Sequence, residues 1–171
     1  TNNPLKPIRI EGPWAVRFPF GWGAPQRSVF PDLIDWIESE DRNIRHFSGV
    51  AVYHNSFQFS KISKDDSKII LDLGTVEEVA RIYLNGRLLG IQSFSPFRVD
   101  VTDVIKNGDN YLVIEVANLM HNQMVGDASR TWEEKRTHSN ITKGPNPWTT
   151  PWKDLPLKSS GLLGPVRIVF E

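Results

Sequence analysis

LDLGTVEEVARIYLNGRLLGIQSFSPFRVDVTDVIKNGDNYLVIEVAN, running from Leu71 to Asn118, decides how the rest of the chain is read. At its centre Asn85-Gly86 separates two apolar alternations, the strongest short hairpin signal in a sequence. A two-residue type I′ turn needs positive φ at both central positions, which Asn tolerates and Gly adopts freely. With that turn, Leu84 faces Arg87, Ile82 faces Leu89 and Ala80 faces Ile91. The expected inner face is then Ala80, Ile82, Leu84, Leu89 and Ile91, with Arg81, Tyr83 and Leu88 on the other side. A slip of one residue would scatter the apolar set over both faces.

Outward from the hairpin the chain reads as short strands joined by turns. Trp14, Val16 and Phe18 alternate onto one face before Pro19 ends regular pairing. Asp32 to Glu38 reads as one or two helical turns with Leu33, Ile34 and Trp36 to bury. From Ser48 to Phe59 the face is Ala51, Tyr53, Phe57 and Phe59, interrupted by Asn55, where a bulge or bend is expected. Lys61 to Lys68 is a charged, solvated connection. Ile69 to Leu73 forms the next strand, and Phe97, Val99 and Val101 another. Thr102 is placed to cap a short turn over Asp103 to Lys106, stopped by Asn107-Gly108. Tyr111 to Ala117 is the clearest strand, with Leu112, Ile114 and Val116 inward and Glu115 outward, and Val166, Ile168 and Phe170 close the chain. About eight or nine strands with almost no helix point to an all-β fold, an antiparallel β-sandwich of jelly-roll type.

The chain's 171 residues fit a single domain, 1–171, large enough for a continuous core. Twenty Lys and Arg balance 20 Asp and Glu, so no general electrostatic attraction to nucleic acid or anionic membrane is expected. Cysteine is absent, which removes thiolate and disulfide chemistry and leaves the compartment undecided. No apolar run approaches the roughly 20 residues that span a bilayer, so membrane insertion is not expected. The opening TNNPLKPIRI has neither Met nor a signal-peptide apolar region and reads as a mature chain or an excised fragment.

Between Leu119 and Gly164 the strand signal lapses for about 45 residues, far beyond the usual roughly 4–6 of a loop. This Trp- and Pro-rich stretch carries Trp132, Trp148 and Trp152, half of the six tryptophans. Two readings stand. Aromatic rings at the end of a sandwich stack on the apolar C–H faces of sugars; equally, the rings pin a long loop to the body, which is the preferred reading because ordered loops need a small core of their own. On the first reading Arg130, Trp132, Trp148 and Trp152 are the candidate carbohydrate-binding residues.

Motifs for phosphate, dinucleotide, serine-hydrolase or zinc chemistry are missing. His46, His54, His121 and His138 lack metal-ligand spacing. Glu77-Glu78 and Glu133-Glu134 pair carboxylates in sequence, but neighbours on a strand face opposite ways, and glycosidic hydrolysis needs two carboxyls across a cleft. Asp100, Asp103, Asp109 and Asp127 could give oxygen ligands to a structural Ca²⁺ without forming an EF-hand loop. That site is left open, and no other cofactor is expected.

The order Leu73-Gly74, Asn85-Gly86, Pro96-Phe97, Asp100-Val101-Thr102 and Gly108-Asp109-Asn110 resembles the galactose-binding-like, sugar-binding domain of family 2 glycoside hydrolases. The flanks are more particular: Gly12-Pro13-Trp14, Trp22-Gly23, FSGVAVY at Phe47 to Tyr53, NLMHNQMVGD at Asn118 to Asp127 and SGLLGPVRI at Ser160 to Ile168 resemble the C-terminal domain of large bacterial α-L-rhamnosidases of family 106 type. The run departs from that family at Met120, where Trp is usual, and at Gln123, where Arg is usual. The resemblance implies a non-catalytic module of a periplasmic or extracellular bacterial enzyme that degrades plant-type polysaccharides. Its partners would be an oligo- or polysaccharide and the catalytic domain of the same parent chain. In that family the catalytic carboxylates lie on a separate barrel, so no catalytic residue carries over. A lectin-like carbohydrate-binding module is the alternative, and an autonomous glycosidase using Asp127 or Glu133 the third reading.

Overall fold

A computed structural model describes residues 5–60, 68–144 and 150–171. In chain order the strands are β1 (Ile8–Arg9), β2 (Trp14–Arg17), β3 (Ser28–Phe30), β4 (Val50–Phe59), β5 (Ile69–Asp72), β6 (Thr75–Glu77), β7 (Val79–Leu84), β8 (Arg87–Gln92), β9 (Arg98–Asp100), β10 (Gly108–Ala117), β11 (Gly161–Gly164) and β12 (Arg167–Phe170). Two short helices, α1 (Arg42–Arg45) and α2 (His121–Asp127), and two 3-10 turns, Trp36–Glu38 and Trp152–Asp154, complete the described elements. The strands form a six-stranded sheet in the order β3-β2-β4-β10-β7-β8, a four-stranded sheet β1-β12-β5-β9 and a two-stranded ribbon β11-β6. Among the described residues all strand pairings are antiparallel, giving the expected sandwich. The strands that sequence reading misses (β1, β3, β6, β11) are two to four residues long, too short for an alternation to register.

The core forms where the alternating residues of both sheets meet. Tyr53, Ile82, Ile114 and Val116 from the large sheet, Leu71 and Ile168 from the small one, and Val101 just after β9 are all fully buried. Trp14, Val16 and Phe18 fall on the inner face as their spacing requires. Phe18, Trp36 and Phe47 meet edge to face at 4.9–5.7 Å, closing the end of the core above α1.

The Asn85-Gly86 turn is present, with Asn85 at φ 51° and Gly86 at φ 80°. Asn85 does more than turn the chain. Its side chain donates to the Val104 carbonyl and to Asn110 Oδ1 and accepts from the Tyr111 backbone N–H, so the hairpin tip is tied to the turn that starts β10. A Cβ at Gly86 would meet nothing within 4 Å, which isolates the backbone effect. Gly86→Val is therefore expected to cost roughly 1–3 kcal/mol through φ strain alone. Urea unfolding checks this, and a loss within error of zero would place the strain elsewhere.

Four local expectations are corrected. Beyond the turn, Tyr83 faces Leu88 but Ile82 faces Gly90 and Arg81 faces Ile91, so Leu89 is the extra residue of a bulge. That shift turns Ile91 outward, 58% exposed, instead of onto the core. Asn55 makes no bulge: β4 pairs β10 without a break from Val50 to Phe59, and Asn55 is buried in line, donating to the Glu11 and Pro13 carbonyls. Thr102 does not cap the turn after it; its hydroxyl accepts from Ile69 N–H and donates to Asp100. Last, only Trp36–Glu38 of the 32–38 segment is helical, capped by Asp35, and α1 follows with Asp41 as its cap.

A candidate cleft at the end of the sandwich

β10 ends at Ala117, and Asn118 fixes the exit by accepting from Gly49 N–H and donating to the Phe47 carbonyl and Ser160 Oγ. α2 then lies across the sandwich end with an unusual inner face: Asn122, Gln123, Val125, Gly126 and Asp127 are all buried. Asn122 donates to the Lys158 carbonyl and Ser160 Oγ and accepts from Lys158 N–H, while the Gln123 backbone N–H donates to Ser48 Oγ. Gly126 is needed because a Cβ there would run into the His46 side chain at 2.8 Å. Sequence reading misses this helix because the residues it buries are polar, and an apolar 3.6-residue period never arises.

Asp127, at the end of α2, is the hub of the loop beyond it. Its Oδ1 accepts from Gln123 Nε2 at 2.9 Å and Arg130 Nη1 at 3.1 Å; its Oδ2 accepts from the Arg136 and Thr137 backbone N–H groups and the Thr137 hydroxyl. Burial pushes the carboxyl up, but the hydrogen bonds from Thr137, Gln123 and Arg136 prevail and hold it below the usual carboxylate range. The loop from 129 to 137 thus folds around one buried anion. Arg136, whose own pKa burial and Arg130 lower, lies over Gly23, where there is no room for a side chain.

Between α2, the segment 135–142 and Pro151–Lys153 lies a cleft of ≈160 Å³. Met124, Ile141 and Trp152 give it apolar surface, and Lys135, Thr137, Ser139 and Thr142 give it hydrogen-bonding groups. Trp152 is half-buried; its indole N–H donates to the Ile141 carbonyl and its ring meets His121 edge-on at 5.4 Å. An apolar ring beside a few polar groups is the chemistry a sugar ring recognises.

The three described candidate sugar-binding residues, Arg130, Trp132 and Trp152, do not converge on the cleft. Trp152 lines the cleft. Arg130 does not; only 14% of its side chain is exposed, and its guanidinium pairs with Asp127. Trp132 is 60% exposed, stacked edge-on against His138 at 4.7 Å and outside the cleft lining. Trp148 lies outside the described residues.

The acidic candidates fare differently from one another. Asp127 is fully engaged and held ionised, the opposite of a general acid. Glu133 and Glu134 are exposed, and Glu134 accepts from Thr131 N–H. Glu77 is raised, by burial first and then by the Glu78 and Asp35 carboxylates, but it does not line the cleft. Among possible Ca²⁺ ligands, Asp100 is held by Thr102, Asp109 by Gln58 and Asp127 by its loop. Among the described residues no three His, Asp or Glu side chains are grouped to hold a metal.

Comparison with known proteins places the architecture. A protein of Formosa agariphila named "Putative beta-glucuronidase" is 38% identical over 180 residues, covering 95% of this chain and 16% of its own length. The solved rhamnosidase from Novosphingobium sp. PP1Y superposes on the whole chain with a TM-score of 0.83 at 30% identity, and the chain spans 16% of it. A Bifidobacterium dentium β-glucuronidase matches 68% of the chain at a TM-score of 0.54 and 28% identity, over 21% of its own length. The family described as "Glycosyl hydrolase 2 galactose-binding domain-like" matches residues 29–162, most of the chain, and the protein belongs to that family.

Proposed function

We propose that this chain is a non-catalytic, carbohydrate-associated module of a larger glycoside hydrolase, packed on the catalytic domain and offering its end cleft to a sugar. The observation that carries this reading is one of scale: the chain corresponds to 16% of both the rhamnosidase and the glucuronidase-named relative, so the bulk of such enzymes lies in other domains. The tightly bonded Asp127 supports it, because hydrolysis needs a raised-pKa acid and a second carboxyl across the scissile bond. A bacterial polysaccharide-degrading parent acting outside the cytoplasm, on plant-type glycans, fits the same reading.

The purified chain, incubated with aryl α-L-rhamnosides, β-galactosides and β-glucuronides, is expected to release no aglycone above buffer. Turnover that disappears in Glu133→Gln or Glu134→Gln would make the chain an enzyme and sink the proposal.

Exposed Trp132 favours a second reading, an independent lectin-like module. Trp152 separates the two. Because its ring is half-buried and its N–H bonded, Trp152→Ala is expected to lower stability by about 1–3 kcal/mol, less than the roughly 3–5 kcal/mol of a fully buried ring. Loss of oligosaccharide affinity in Trp132→Ala or Trp152→Ala with an unchanged melting curve would favour the lectin.

A further inference from the structure

The two sheets differ in how much apolar surface they turn away from the core. On the four-stranded sheet the outer row is Arg9–Arg167–Asp72–Arg98 across β1, β12, β5 and β9. Asp72 pairs with Arg167 at 2.9 Å and Arg98 with Glu171 at 2.7 Å. The row beside it, Val169–Ile70–Asp100, is the only other one the registers define, so among the described residues apolar surface on this face is confined to Val169 and the buried Ile70.

The six-stranded sheet carries more apolar side chains on its outer side. Its registers align Val29, Ala15, His54, Val113, Tyr83 and Leu88 as one outer row crossing every strand from β3 to β8. The next row is Arg17, Val52, Glu115, Arg81 and Ile91, and beyond it Val50 and Val79 flank Ala117. None of these residues is buried, and Val29, Leu88 and Ile91 are more than half exposed. Apart from Arg17, the charged and imidazole groups of these rows are paired: Arg81 bonds Glu115 at 3.1 Å, and the His54 Nδ1 bonds the Tyr111 hydroxyl, while burial and Arg17 hold that imidazole below its usual pKa. A sheet with water on one side alternates apolar and polar residues; here most residues of these three outer rows are apolar, with Ser56, Tyr111, Gln58 and Asp109 forming a polar margin beside them.

We infer that the outer face of the six-stranded sheet docks a neighbouring domain of the same parent polypeptide, through an apolar contact with a carboxylate set against Arg17. The inference rests on the reading of the chain as one module of a larger hydrolase. At a strand spacing of about 4.8 Å and a rise of about 3.4 Å per residue, the three rows cover roughly 400–500 Å². Covering them buries about 800–1,000 Å² over both partners. That is short of the roughly 1,600 Å² of a free-standing complex and within the roughly 600–1,500 Å² of contacts between tethered domains. The area therefore selects a tethered domain over a second copy of the chain. Arg17 forms no ion pair among the described residues, and a carboxylate on the partner would give it one while fixing orientation.

The chain has no cysteine of its own, which makes the test clean. Val29→Cys, Leu88→Cys and Ile91→Cys, with Arg9→Cys as the control on the opposite sheet, are labelled with a maleimide in the isolated chain and in the full parent polypeptide. Rates are read by peptide mass spectrometry and normalised to the urea-unfolded protein. The expected result is fast labelling at all four sites in the isolated chain. In the parent, labelling should slow at least tenfold at the three sheet positions and change less than threefold at Arg9→Cys. Equal rates in chain and parent at the sheet positions would overturn the inference. So would a concentration-dependent dimer of the isolated chain, by sedimentation, that Leu88→Lys abolishes, since a second copy would then own the face. A parent polypeptide devoid of glycosidase activity would remove the proposed function and leave the labelling pattern to stand by itself.

Discussion

Tyr53→Phe is expected to lower the stability of the chain by about 2–5 kcal/mol, although it removes a single oxygen. The Tyr53 hydroxyl accepts from the Trp36 indole N–H at 2.6 Å and from the Leu162 backbone N–H at 3.2 Å, and all three residues are fully buried. Phenylalanine keeps the volume and the edge-on contacts with Trp14 and Phe30, so packing is not the cause. Two donors lose their acceptor where no water replaces it, and each such orphan costs about 1–3 kcal/mol. Against a total of roughly 5–15 kcal/mol this is a large share. Burial also pushes the Tyr53 pKa up. The unfolded chain therefore loses this proton first, and stability present below about pH 10, the ordinary tyrosine value, is lost as pH rises above it. Urea unfolding between pH 7 and 11 should show a lower midpoint in Tyr53→Phe and a shallower alkaline decline. A loss below about 0.5 kcal/mol would mean the hydroxyl does not bridge β4, β11 and the Trp36 turn.

Asp127→Asn is expected to cost about 2–4 kcal/mol and to release the loop from 129 to 142 while leaving the sandwich folded. Asparagine offers one accepting oxygen in place of two, so its amide must face N–H or O–H donors that now point at a donor, and Arg130 loses its counter-charge. Hydrogen exchange should rise in that loop and in α2, with β4 and β10 unchanged, and Trp152 fluorescence should shift as the cleft opens. The pH dependence comes from the depressed carboxyl. The unfolded chain binds the proton at higher pH than the folded one, so the stabilisation is complete above about pH 4 and is lost as pH falls through the folded pKa. Asp127→Asn should lack that acid limb. An exchange pattern identical to the parent protein's would show that the loop is held by something other than this anion.

How much of this was legible in the sequence depends on how local the cause is. The hairpin turn needs only the φ preferences of Asn85 and Gly86, and β10 needs only the alternation of Leu112, Ile114 and Val116; both are written in neighbouring residues, and the sandwich comes from repeating that pattern. Even the family resemblance rests on such local pieces, among them Asn110, whose side chain bonds the Lys106 and Gly108 backbone within one turn, though its bond to Asn85 in the hairpin crosses between segments. The candidate site is another matter. Asp127 looks in sequence like any loop carboxylate, and only the packing of α2 brings Thr137, Arg136 and Arg130 to it.

Trp132 and Trp152 are alike as letters, yet one faces solvent and the other lines a cleft, because the segments that meet there are remote in the chain. The bulge at Leu89 could not be read either, since moving Ile91 from core to surface leaves the same two-residue alternation on paper. On the outer face of the large sheet the limit is plainest. Alternation set Val52, Val113 and Tyr83 opposite the core residues Tyr53, Ile114 and Ile82, but it could not show that their rows join into one surface, which needs the registers between strands. Sequence by itself settled the Asn85-Gly86 turn, the inner faces of the longer strands and the all-β class. Tertiary structure alone settled how the outward rows join from strand to strand, which buried polar groups found partners, and where the cleft opened, because each depends on contacts between segments that the chain keeps far apart.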